Sequence, residues 1–274
     1  MFKLLALDMD GTLLKEDKTI SDITYNAIQA AKSKGIKVVL ATGRPVKGIQ
    51  RYLDQLDLTN EGDCSVAFNG ALVQENRDGE VICSDTLAME DLKFLYSLSK
   101  TLDVNIHFLT TEECITPKLN EYSELEAKMN QIPLKVMDFD NLPSDITIVK
   151  VMMIDKEDIL SKAIEQLPEE VYEKYTVLRS MPFFLEFLNK NANKGEGVKK
   201  LAEKFGIDKN EVICIGDAEN DIHMVNYAGL GVAMKNSMPI LKKKANYITL
   251  SNEEDGVAHV IDKFILNPQM IFEI

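Results

Sequence analysis

Two aspartates, two residues apart, close a short apolar run near the start of the chain in LLALDMDGTLL, residues 4–14. Charge at the tip of a buried strand is costly unless it is paired or holds a metal, so Asp8 and Asp10 together ask for a cation. In extended chain a period of two places both carboxylates on one side, and Gly11 permits the sharp turn that follows. A further carboxylate, Asp217 of GDAEND (216–221), ends the apolar run EVICIGD, and Thr42-Gly43-Arg44 ends IKVVLATGR. Hard oxygen donors from Asp8, Asp10 and Asp217, with water completing the shell, suit Mg²⁺. With that ion present, one carboxylate can attack phosphorus and the other can shuttle the proton.

A calcium loop is the competing explanation for both acidic stretches, and it fails. An EF-hand starting at Asp8 would need Gly where Leu13 stands and Glu where Thr19 stands; one starting at Asp217 meets Ile222 and Ala228 instead.

The elements that must position these groups follow from the hydrophobic pattern. FKLLALD reads as a strand, SDITYNAIQAAKSKG as a helix capped by Ser21 with Gly35 just past its end, and IKVVLATGR as a strand leading to a helix at Pro45. This βαβα rhythm implies a parallel sheet with helices on its faces. SVAFNGALVQENRDGEVICSD then reads as strands with a hairpin turn at Asn76 to Gly79. Between about Thr86 and Ser180 the strict alternation is lost: the helices MEDLKFLYSLSKTL, NEYSELEAKM and KEDILSKAIEQL mix with the strands NIHFL, ITIVKVMMI and YTVLRS. The rhythm resumes with NKGEGVKKLAEKFG (helix), EVICIGD (strand), ENDIHMVNYAG (helix), LGVAM (strand) and SMPILKKKA (helix). The expected fold is therefore α/β: a core of residues 1–85 and 181–274, with an α+β domain, 86–180, inserted into it. In an open parallel sheet ligands bind beyond the carboxyl ends of the strands, so the three polar motifs should converge on one edge.

Composition narrows the partners. With 31 basic and 44 acidic residues the formal charge is −13, the wrong sign for a general nucleic-acid binder. Lys242 to Lys244, the dense basic run, reads as a solvated helix face. Cys64, Cys83, Cys114 and Cys214 are scattered without a zinc-ligand pattern and read as reduced, mostly buried thiols of a cytoplasmic protein. Asp8 interrupts any signal-peptide core, and the run at 146–154 is broken by Lys150 and too short to span a bilayer. His107 and His259 read as packed or surface histidines, although His107, lying in the inserted domain, could face a substrate.

The motif set resembles the haloacid dehalogenase (HAD) superfamily of aspartyl-phosphate phosphatases. DMDGT at 8–12 is similar to its first motif, Thr42 of ATGR to its second, Lys194 of NKGEGV to its third and GDAEND to its fourth. FNGA at 68–71 and GVAMKNSMPILKKKANYIT near the end point to the Cof-type branch of sugar-phosphate phosphatases, whose α/β cap lies between the second and third motifs. By itself Lys194, among Lys190, Lys199, Lys200 and Lys204, reads as a solvated helix-start lysine; its place before Gly195, relative to the fourth motif, reverses that reading.

What the resemblance implies is an HAD-like Rossmannoid core with a Mg²⁺-dependent phosphatase site and a specificity-determining cap. Asp8 would be the nucleophile, Asp10 the general acid and base, and Lys194 the charge neutraliser between Asp8 and phosphate. Met9, Thr42, Gly43, Lys194 and Asn220 would contact the phosphoryl group or substrate. Asp8, Asp10 (through its backbone carbonyl) and Asp217 would bind Mg²⁺, with Asp221 orienting the metal shell. The expected partner is a small phosphorylated metabolite such as a sugar phosphate, with no nucleic acid or membrane, and the protein a monomer or homodimer. A phosphomutase of the same superfamily would keep every motif, and a non-catalytic metabolite-binding regulator is the alternative of a different class.

Overall fold

The protein is described from a computed structural model, in which residues 1–268 are described. The chain divides into two compact units: residues 1–43, 51–83 and 193 onward in the first, and 44–50 and 84–192 in the second.

The first unit opens with strand β1 (Leu4–Leu7), helix α1 (Asp22–Ser33), strand β2 (Lys37–Ala41), a 3₁₀ turn (Val46–Ile49) assigned to the other unit, and α2 (Gln50–Gln55). Strands β3 (Cys64–Ala67), β4 (Leu72–Glu75) and β5 (Val81–Ser84) follow. α1 forms as its sequence dictates. The Ser21 hydroxyl accepts the Thr24 N–H at 3.0 Å, Asp22 lies in the first turn and Lys32 in the last, and Ile28 and Ala31 are buried.

In the second unit the elements are α3 (Met89–Thr101), β6 (Asn105–Leu109), β7 (Cys114–Thr116), α4 (Glu121–Asn130), β8 (Leu134–Val136), β9 (Lys150–Ile154), α5 (Glu157–Glu165), α6 (Glu169–Lys174), β10 (Tyr175–Met181) and β11 (Phe184–Asn189). Its strands run in the order β10-β11-β9-β6-β7-β8. One sheet face carries Phe108, Val151, Leu185 and Phe187 into a core with Leu92 and Leu95 of α3 and Leu160 of α5. The other face carries His107, Lys150, Met152 and Glu186, aligned by the pairing of His107 and Glu186 with Met152. Here Lys150 Nζ lies 3.3 Å from Glu126 of α4 and 3.2 Å from Glu186, all three groups buried. One ammonium against two carboxylates offsets only part of the charge, and burial pushes Glu126 above the ordinary carboxylate range against the pull of Lys150.

The chain returns to the first unit with α7 (Lys194–Lys204), β12 (Val212–Gly216), α8 (Ile222–Tyr227), β13 (Leu230–Ala233), α9 (Pro239–Lys242), β14 (Tyr247–Ile248) and α10 (Gly256–Ile261). Among the described residues the first unit's sheet has the order β14-β13-β12-β1-β2-β3-β4-β5. It is parallel from β14 to β3, and β4 is antiparallel to β3. A central strand such as β1 is buried along its whole length, which is why it reads as continuous apolar sequence rather than as alternation. Both ends of the chain build this one sheet.

Several local expectations differ from the structure. The run at 146–154 becomes strand only from Lys150, because Ile148 instead bridges Leu87 outside the strand. ENDIHMVNYAG is a 3₁₀ turn over Glu219–Asp221 followed by the short α8. Residues 181–192, which the sequence reading put with the core, fall in the second unit because β11 pairs with both β10 and β9. Among the described residues no disulfide joins the cysteines, and Cys64, Cys114 and Cys214 are buried. His107 is fully buried, its Nδ1 3.0 Å from Ser123 Oγ and its Nε2 3.2 Å from Met152 Sδ, and burial pushes its pKa down to about 3. His259 packs with Tyr247, 3.0 Å between Nε2 and the hydroxyl. Among the described residues no helix is long and apolar enough to cross a membrane.

Candidate active site

Register brings the motifs together. Leu7 pairs with Ile215 on one side and with Leu40 on the other, so the residues that follow, Asp8, Gly216 and Ala41, reach the same sheet edge. Asp217 and Thr42 come one residue later. Gly11, at φ +86°, makes the turn after the aspartates; a β-carbon there would stand 2.4 Å from Asp217 Oδ2. Thr12 donates from Oγ1 to Asp217 Oδ1 at 3.1 Å, closing the first motif onto the fourth.

Lys194 starts α7, whose N-cap is Asn193, with the Asn193 side chain accepting the Glu196 N–H. Its ammonium is fully buried and donates to Asp8 Oδ1 at 2.5 Å and to Asp221 Oδ1 at 2.7 Å. The other Asp221 oxygen accepts the backbone N–H groups of Asp217 and Ala218, both at 2.9 Å. Both oxygens of Asp221 are thus engaged with protein donors, an arrangement suited to orienting a metal shell rather than to entering it.

The charge balance is uneven. Burial raises the Asp8 pKa well above the ordinary carboxylate range, the charges of Asp221 and Asp217 add to this, and Lys194 opposes it. Asp217 is raised by burial and by Asp221, against hydrogen bonds with Asp8 and Thr12. For Lys194 burial works against the charged form, but Asp221 and Asp8 outweigh it and hold the pKa above that of ordinary lysine. Carboxylate oxygens of Asp8, Asp217 and Asp221 lie within 4.8 Å of one another. One ammonium against three carboxylates leaves negative charge that a hard dication would offset, and the carboxylates of Asp8 and Asp217 are hard oxygen donors that fit Mg²⁺.

The remaining expected residues are arranged around this centre. The Asp10 side chain is 42% exposed and accepts from Lys18 Nζ at 2.8 Å. Met9 is fully buried, so only its backbone can meet a substrate. The Thr42 N–H donates to Val66 O, and the Thr42 carbonyl accepts the Asn69 N–H at 2.8 Å. Asn220 donates from Nδ2 to Asn69 Oδ1 at 2.9 Å. No local pattern announces Lys18, and although Asn236 lies in the GVAMKN segment, its Nδ2 contact with the Gly11 carbonyl, 2.8 Å and 225 residues away, is not readable from it. FNGA is a visible segment of the sequence, but the contacts of Asn69 are not readable from it.

The parallel sheet brings three carboxylates and a buried lysine to its carboxyl edge, where open α/β sheets bind their ligands. The chain belongs to the haloacid dehalogenase-like hydrolases, whose family model matches residues 5–261. It is 46% identical to the Bacillus subtilis protein named "Putative phosphatase YxeH" over 97% of this chain and 99% of that one. It is 34% identical to the 5-amino-6-(5-phospho-D-ribitylamino)uracil phosphatase YitU of the same organism, over 95% and 97% of the two chains. Among solved structures, the HAD subclass IIB sugar phosphatase BT4131 superposes with a TM-score of 0.79 at 27% identity, over 96% and 98% of the two chains. The protein is accordingly a phosphatase of the HAD superfamily.

Proposed function

We propose that this phosphatase hydrolyses small phosphorylated sugars or polyols in a Mg²⁺-dependent reaction through an aspartyl-phosphate on Asp8. The observation that carries the reading is the buried Lys194 ammonium joining Asp8 to Asp221 beside Asp217. Asp8, Asp217 and the Asp10 backbone carbonyl would hold the ion, with Asp221 orienting its shell. When bound, Mg²⁺ supplies positive charge that draws the phosphate dianion toward the carboxylates.

The Asp8 carboxylate oxygen forms a bond to phosphorus as the bond to the leaving alkoxide breaks, and Asp10 delivers the proton that the departing oxygen needs. Water then attacks phosphorus as Asp10 takes its proton and the Asp8 O–P bond breaks, which regenerates the Asp8 carboxylate and releases inorganic phosphate. Lys194 lowers the repulsion between Asp8 and the incoming dianion, and Thr42, Asn220 and the Met9 and Gly43 backbone hold the phosphoryl oxygens. The sugar or polyol class is supported by the names of BT4131 and YitU, each of which is said there of its own protein. The second compact unit is assigned the selection of the leaving group, and the cysteines, in no disulfide among the described residues, suit a cytoplasmic setting.

The test is phosphate release from p-nitrophenyl phosphate and a panel of sugar and polyol phosphates with Mg²⁺, with EDTA, and with Asp8→Asn. Turnover that needs the metal and disappears in the variant is expected. Turnover unaffected by EDTA, or retained by Asp8→Asn, would remove this mechanism.

A further inference from the structure

We propose that Asn69 is a positioning residue for phosphate: its turn ties the Thr42–Gly43 loop to Asn220 and to the start of the helix that carries Lys194. The inference rests on the phosphatase site assigned above. Asn69 has the left-handed conformation (φ 56°, ψ 29°), and so does its neighbour Phe68 (φ 49°). Consecutive residues other than glycine seldom take that shape unless the surroundings hold them there, and both are buried.

The surroundings are the site. The Asn69 N–H donates to the Thr42 carbonyl at 2.8 Å. Its side-chain Oδ1 accepts the Asn220 amide at 2.9 Å, across 151 residues of sequence. Its carboxamide also lies across Gly43, where a β-carbon would come within 3.2 Å of both Oδ1 and Nδ2. On the other side of the turn, Gly70 packs so closely on the backbone of Asn193 that a β-carbon would stand 2.1 Å from the Asn193 carbonyl. One short turn therefore meets the Thr42–Gly43 loop, the residue before Lys194, and Asn220.

Phosphoryl transfer depends on the mutual placement of such groups more than on any one contact. Asparagine suits the position because it tolerates the left-handed region and carries an amide that can bridge. Alanine would lose the bridge and disfavour the backbone shape. Glycine would keep the backbone shape but lose the bridge and the carboxamide's packing on Gly43.

Asn69→Gly, Asn220→Ala and the double variant separate these effects, with Asn69→Ala as a second way of removing the carboxamide. Binding of inorganic phosphate in Mg²⁺ is measured by calorimetry, together with inhibition by orthovanadate, KM, kcat and the Mg²⁺ concentration for half-maximal activity. Asn69→Gly is expected to weaken phosphate and orthovanadate by about 10-fold, the size of one well-placed hydrogen bond to a charged-ligand site. Half-maximal Mg²⁺ is expected to stay at the wild-type value, which a general loosening of the fold would shift. The double variant is expected to lose less than the product of the two single losses, because both remove the same bridge. Wild-type phosphate affinity in Asn69→Gly and Asn69→Ala, or multiplicative losses in the double variant, overturn the proposal while leaving the phosphatase site intact. A wild-type protein that neither binds phosphate nor turns over any ester overturns both.

Discussion

Lys194 Nζ lies 2.5 Å from Asp8 Oδ1 with no solvent reaching the lysine. Removing one partner of a buried pair leaves a charge without compensation, at a cost of about 3–5 kcal/mol. Lys194→Met, close in volume, is therefore expected to lose about that much stability in urea unfolding without metal, because Asp8 and Asp221 would face each other. Adding Asp8→Asn to Lys194→Met should restore part of it. Activity should fall in both variants. A single variant as stable as wild type would show that the contact contributes nothing.

Asp10 is assigned the proton transfers. Asp10→Asn is expected to slow hydrolysis of a sugar phosphate by about 10²–10⁴-fold. The phosphorylation step with p-nitrophenyl phosphate, whose leaving group needs no proton, should lose far less. Single-turnover measurements on both esters check this, and equal losses in that step would count against the assignment.

His107 gives the second unit a pH dependence of known sign. Its folded-state pKa is depressed from 6.5 to about 3 by burial, with Lys150 adding to the effect. Its contribution is therefore present in full above pH 6.5 and is lost as pH falls toward 3, because the unfolded chain takes up the proton first. The loss should reach about 2 kcal/mol at pH 5. His107→Gln, which keeps a group able to meet Ser123, should show a shallower decline of the urea midpoint between pH 6.5 and 5. Identical slopes in the two proteins would exclude His107 as the source.

Ser21 caps α1 through Thr24 N and also donates to Asp255 Oδ1 at 2.5 Å. Ser21→Ala is expected to cost about 1 kcal/mol, measured by urea unfolding, with kcat unchanged.

The α/β alternation made α1, β1, β2, α7 and β12 legible, since each is a local pattern of apolar spacing and caps. Strand β11 was not legible as part of the second sheet. Its Phe184-Leu185-Glu186-Phe187-Leu188 run is buried on both faces, so it has no alternation to mark it, and only its pairing with β9 and β10 defines its place. β7 and β8 are three residues each, too short for a period to show.

The candidate site divides in the same way. Residue types and order within DMDGT, ATGR, NKGEGV and GDAEND, to which the proposed chemistry is assigned, are local to the sequence, because turn formation and helix starts depend on near neighbours. Which oxygen of Asp8 meets Lys194, why both oxygens of Asp221 are engaged, and how Asn69 reaches Asn220 were decided by the tertiary structure. Parallel strands must be joined by crossovers, so the residues at their adjacent ends are remote along the chain, and their contacts arise from sheet register and helix packing.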